Sequence, residues 1–211
     1  MHIDEEKLDN LDHITRINII NAITGIKPGN LVGTQSQSGD ENLAIMSSCI
    51  HLGSKPALIG LILRPQEQTP TSTYLNIKDT GSYTINHIPN HLTCNAHFTS
   101  AKFPMGISEF EECNLTPEYK AGFKAPFVKE SPLKIGLKFV QEMKLEINKT
   151  VLVIGEVKHI EVPDNMVNKT GQIDLEALGS TGISGLDHYY KMVKIADYPY
   201  AHLEDVPKFK S

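Results

Sequence analysis

Three groups of residues between Asn42 and Ile88 have the chemistry to hold a ligand with a flat ring at one end and a phosphate at the other. Ser47, Ser48 and Cys49 close an apolar strand pattern, and their side chains and backbone N–H groups suit the polar edge of a planar heterocycle. Arg64 ends the next apolar run, just before Pro65, where a guanidinium can grip a phosphate through two parallel hydrogen bonds. Thr71, Ser72 and Thr73 then open a helix, whose first N–H groups lack intrahelical acceptors and attract anions. Each group also has a plain structural reading. Alternate members of 47–49 can face a core, Arg64 can pair with Glu67 or Asp79, and the hydroxyl run can serve only as a cap. The residues alone leave both readings open.

Two further clusters could line the same pocket. His97, Thr99, Ser100 and Lys102 lie on or just after a polar helix, which could equally be a solvated face. His188, Tyr189 and Tyr190 could stack on a flat ring or pack in an interface. Other chemistries lack support. His87 and His91 are four apart, but Pro89 between them prevents a regular helix from presenting both to a metal. His51 before its glycine turn reads as structural. There is no H-E-x-x-H, no G-x-S-x-G elbow, no G-x-G-x-x-G and no P-loop.

The elements that must position these residues are mostly strands. Segments 30–37, 43–50, 57–63, 83–88, 133–147 and 150–162 read as strands, with Gly155 as a bulge in the last. A helix is expected from the Thr71 cap to about Asp79, stopped by Gly81. Further helices are expected after Pro89 to about Ala101, at 107–113 and around Leu175. Residues 14–26 fit either a strand or a helix. The expected organisation is an N-terminal arm (1–12), one domain (13–196) and a C-terminal tail (197–211). Short strands with helices in the loops favour an antiparallel barrel over a βαβ sheet.

A chain of 211 residues is long enough to bury one substantial core without disulfides or metal. Its net charge of −5, spread along the chain, argues against a general nucleic-acid binder. Three cysteines, Cys49, Cys94 and Cys113, show no C-x-x-C spacing and read as reduced thiols. The acidic start, Met1 to Glu6, has no apolar leader segment, and no run is long enough to span a membrane. A cytoplasmic protein is therefore expected, with no membrane and no nucleic acid among its partners. The N-x-T triplets at Asn114, Asn148 and Asn168 are then chance matches.

From about Ile17 to Tyr190 the chain resembles the flavin reductase-like, FMN-binding split-barrel family. The likeness is carried by INAITGIKPGNLVGT (20–34), NLAIMSS (42–48), HLGSKPALIGLILRP (51–65), YLNIKDTGSYTINHI (74–88) and HFTSAKF (97–103), specific as a set. It implies a mainly β fold with peripheral helices, an antiparallel Greek-key split β-barrel. It also implies a homodimer and non-covalent FMN near the subunit interface. Ser47, Ser48 and Cys49 would lie beside the ring, and Arg64, Thr71, Ser72 and Thr73 near the phosphate. Asn95, Ala96, His97, Thr99 and Ser100 would approach the flavin, with Tyr189 on the far side of the ring. No protein group is assigned as catalytic and no metal is expected.

The implied activity is hydride transfer from NAD(P)H to flavin, with a redox protein or monooxygenase as an open partner. A flavoredoxin-like electron carrier without direct NAD(P)H activity is the alternative. A split barrel that has lost its cofactor is a third reading. The loop 164–171 matches no family pattern, and no residue pattern marks a nicotinamide site.

Overall fold

A computed structural model describes residues 1–104 and 106–209. In chain order its helices are α1 (Glu5–Asp9), α2 (His13–Ala22), α3 (Ser72–Thr80), α4 (Thr93–Phe98) and α5 (Glu109–Glu112). Its strands are β1 (Lys27–Pro28), β2 (Asn30–Gln35), β3 (Glu41–Met46), β4 (Cys49–Ser54), β5 (Ala57–Leu63) and β6 (Ser82–His87). They continue as β7 (Pro117–Glu118), β8 (Phe127–Val128), β9 (Lys134–Lys144), β10 (Val151–Glu161), β11 (Thr181–Ser184) and β12 (His188–Lys191).

Seven strands form one antiparallel sheet in the order β3-β2-β6-β9-β10-β5-β4. Its two edges, β3 and β4, are consecutive in the chain and joined by Ser47 and Ser48 alone. Three Cα steps span at most about 11 Å, so the edges must meet at that end. The sheet therefore curls into the split barrel expected from the sequence. A smaller sheet, β1-β11-β12, and the pair β7-β8 flank it.

Alternation along each strand divides the core in two. Val32, Leu61, Tyr83, Ile85, Leu137 and Val153 fill the barrel. Leu31 and Leu43, on the opposite face, pack with Ala96 of α4, Phe110 of α5 and Ile183 of β11. This second cluster fastens the short helices and the small sheet to the barrel wall. The hairpin before β3 is held by Asp40, whose carboxylate accepts from Ser36 Oγ at 2.9 Å and Ser38 Oγ at 2.6 Å.

Residues 14–26 resolve mainly into α2, capped by Asp12 accepting from the Thr15 N–H at 3.0 Å. The expected strand 43–50 is divided by the Ser47–Ser48 link, because each half pairs with a different edge neighbour. The loop expected at 164–185 contains β11, whose partners, β1 and β12, are too short to leave a periodic signal.

Gly155 sits at the register shift of β10, and a Cβ there would lie 2.2 Å from the Tyr83 hydroxyl oxygen. Gly155→Ala should therefore cost about 1–3 kcal/mol of stability through overpacking. Tyr83→Phe in that background should recover part of the loss, because the buried Tyr83 hydroxyl has no hydrogen-bond partner among the described residues. Urea midpoints of the single and double variants check both steps.

Candidate functional site

The seam between β3 and β4 exposes the backbone of an edge strand, and side chains from the flanking helices satisfy part of it. The Leu43 N–H donates to Glu109 Oε2 at 2.9 Å, and the Ile45 N–H to Thr99 Oγ1 at 3.0 Å. Burial pushes the Glu109 carboxyl above its ordinary pKa, and the Leu43 N–H pulls it back. By alternation the next member of the series is Ser47, whose N–H has no partner among the described residues. A polar ring edge laid along the seam would meet that free donor.

The two neighbours of Ser47 have other duties. Ser48 Oγ donates to the Ile62 carbonyl at 2.7 Å, and the Ser48 carbonyl accepts from the Ile62 N–H at 3.2 Å. These bonds extend the β4–β5 ladder and place Arg64, two residues beyond Ile62, at the same end of the barrel. The Cys49 thiol packs into the barrel near Tyr83, and burial pushes its pKa up to about 12. It is no thiolate nucleophile, and Cys49 can offer a ligand only its backbone.

Arg64 is exposed and makes no ion pair among the described residues. Glu67 is taken by Lys144, and Asp79 lies near the far end of α3. Gln66, buried beside Arg64, fastens the loop. Its Nε2 donates to the Arg64 carbonyl at 2.6 Å, and its Oε1 accepts from the Thr71 N–H at 2.8 Å and Thr71 Oγ1 at 3.1 Å.

Thr71 caps α3, accepting from the Tyr74 N–H at 3.3 Å. The N–H groups of Ser72 and Thr73 in that first turn have no partner among the described residues. The Thr73 side chain points inward and accepts from Asn42 Nδ2 at 3.0 Å, which ties the helix start to β3. Thr73 thus offers an anion its N–H rather than its hydroxyl.

α4 reaches the seam at its C-terminal end. Thr99, bonded to β3, is buried; Ser100 is exposed and donates to the His97 carbonyl at 2.7 Å. His97 Nδ1 and the Tyr189 hydroxyl lie 2.8 Å apart, with the rings edge-to-face at a centroid distance of 5.8 Å. Burial, with Asp187 nearby, pushes the Tyr189 phenol up to about 12, so it stays protonated at neutral pH. Asn95 and Ala96 sit behind this surface: Asn95 Nδ2 donates to the Cys113 carbonyl at 2.8 Å, and Ala96 is fully buried.

The structure ties Thr99 to β3 two residues before Ser47, and through the same short helix groups His97, Ser100 and Tyr189. Arg64, Thr71, Ser72 and Thr73 follow along the loop that Gln66 braces. Gln66, Glu109 and Asn42 escape sequence reasoning. Their partners are backbone groups or residues distant in the chain, so no local pattern marks them. A free backbone donor at the Ser47 end, and free N–H groups with a cation at the other, fit a planar ring carrying a phosphate. Among the described residues no three His, Cys, Asp or Glu gather to hold a metal, and no helix is long and apolar enough to cross a membrane.

Comparison with known proteins agrees with this geometry. The family model described as flavin reductase like domain matches residues 26–175. A proposed flavin reductase with a split barrel domain from Shewanella frigidimarina NCIMB 400 is 48% identical, over 95% of this chain and 100% of its own, with a TM-score of 0.91. Nitrilotriacetate monooxygenase component B from Bacillus cereus shares the fold at 20% identity, over 94% of this chain and 98% of its own, with a TM-score of 0.83. Flavoredoxin of Desulfovibrio vulgaris (Miyazaki F) does so at 21% identity, over 83% and 92%, with a TM-score of 0.72.

Proposed function

The chain belongs to the flavin reductase-like family, and from that premise we propose that it is an FMN-binding oxidoreductase that takes hydride from NAD(P)H. What supports this reading most is the row of unpartnered donors along the seam: the Ser47 N–H, the Arg64 guanidinium, and the Ser72 and Thr73 N–H groups. When bound, FMN supplies the redox chemistry, receiving hydride on its ring.

The protein's share is position and electrostatics. The Ser47 N–H donates to the polar edge of the ring, where negative charge develops on reduction. Arg64 and the start of α3 hold the phosphate, which favours a mononucleotide with a single terminal phosphate over FAD. The His97–Tyr189 pair walls the ring from the α4 side. No side chain needs to move a proton, and none in the row is placed as an acid or base.

The protein acts in this reading as a homodimer. Its three cysteines are free, which suits a reducing cytoplasm. The resemblance to a monooxygenase component and to a flavoredoxin frames two versions of the function. In one, the protein draws electrons from nicotinamide and supplies reduced flavin to a monooxygenase. In the other, it carries electrons between redox proteins.

The test is a visible spectrum of FMN-loaded, desalted protein, followed during anaerobic addition of NADH and then NADPH. A retained flavin band that bleaches within seconds is the expected result. A retained band untouched by either nucleotide would favour the electron carrier. Loss of the band on desalting would leave flavin as a released substrate, and a titration showing no FMN binding would overturn the reading.

A further inference from the structure

The protein has an accessible surface of 13695 Å². A compact monomer of 23.4 kDa should expose about 9,700 Å², so roughly 4,000 Å² is excess. Residues 193–209, a segment that leaves β12, are almost wholly exposed and contribute to it. Its start is tethered by the Lys194 N–H donating to Glu176 Oε2 at 2.9 Å. From Tyr198 onward no hydrogen bond joins it to the rest of the molecule among the described residues.

Six large apolar side chains nonetheless recur along this arm: Ile195 (98% exposed), Tyr198 (87%), Tyr200 (83%), Leu203 (89%), Val206 (56%) and Phe209 (81%). A segment meant for water would not carry them at this density. A second uncovered apolar surface lies on the outer face of β4, β5, β10 and β9, where Ile50, Leu52, Ile62 and Met143 are 39–54% exposed. Ile50, Leu52 and Leu152 close over Gly60 at its centre, so the patch is continuous.

We propose that residues 195–209 are an exchanged arm that crosses to a second copy of this chain and lies against the outer face of its β4–β5–β10–β9 sheet. The arm and the face are both apolar, both uncovered and both present on each copy, so two molecules can satisfy each other reciprocally. Two copies together carry about 8,000 Å² of such excess, enough to supply the roughly 2,000–5,000 Å² or more that obligate dimers bury between them. This deepens the homodimer reading, and it stands or falls without reference to flavin.

Sedimentation of the flavin-free full chain should give a dimer at micromolar concentration. Ile195→Asp/Tyr200→Asp on the arm and Met143→Lys on the face should each weaken the dimer about 30-fold or more, as interface anchors do. All three positions are exposed, so their thermal melts at concentrations where the wild type is monomeric should match the wild type. A monomeric full chain, or either variant dimerising within threefold of wild type, would overturn the proposal.

Discussion

Arg64→Ala is expected to weaken FMN binding about 10- to 150-fold, the loss of a charge-assisted contact of about 1.5–3 kcal/mol. The reason is local. Arg64 makes no ion pair among the described residues, so its removal leaves no orphaned carboxylate, and its side chain is exposed, so no cavity forms. The folded protein should keep its urea midpoint. Selectivity separates this from a general loosening of the site. Wild type should prefer FMN to riboflavin, which has the ring but no phosphate, whereas Arg64→Ala should bind the two nearly alike. Arg64→Lys should fall between, because an ammonium keeps the charge and loses the planar fork. Flavin fluorescence titrations at fixed salt measure all three. Unchanged FMN affinity in Arg64→Ala would remove the residue from the phosphate site.

The chain announces the outline of this site and hides its fastening. Thr71 and Gly81 are legible as helix stops because capping is local: Thr71 bonds Tyr74 three residues on, and Gly81 has φ +67°. The β strands are legible where apolar and β-branched residues run between turn signals, as in β2 and β6, which are buried on both faces, and in β10. The Ser47–Ser48 link reads as continuous strand, since nothing in the dipeptide tells which neighbour each half will pair with. Thr99 is readable as a hydroxyl at the end of a polar helix. That it holds β3 through Ile45, 54 residues away, depends on the fold closing first. Glu109 and Gln66 carry no mark at all, because a half-buried carboxylate or a buried amide bonded to backbone looks in sequence like any surface polar residue.

Acid should destabilise the protein between pH about 6.5 and 4, and His87 should account for about 3 kcal/mol of that loss. His87 ends β6, with its ring sheltered and Nδ1 3.2 Å from Ser180 Oγ. Burial lowers its pKa to about 4. Unfolded, the imidazole would titrate near 6.5, so between the two values the unfolded chain binds the extra proton. Stability therefore rises with pH through this window, is unaffected by His87 above it, and falls as pH drops toward 4. A gap of about 2.5 units at 1.36 kcal/mol each sets the size. Glu109 acts in the opposite sense, since its raised pKa favours the folded state in acid, and carboxylates held low by their partners, such as Glu118 and Glu161, add to the loss, so the raw pH profile mixes them all. The informative quantity is the difference from His87→Gln, which cannot take up a proton. Wild type should lose about 3 kcal/mol more than the variant between pH 7 and pH 4 in urea unfolding, and parallel profiles would refute the assignment. His87 also meets the small sheet through Ser180, next to β11, whose partner strand β12 carries Tyr189. Protonation there would strain the junction that sets Tyr189 against His97. Flavin retention should therefore weaken over the same pH window in wild type and less so in His87→Gln.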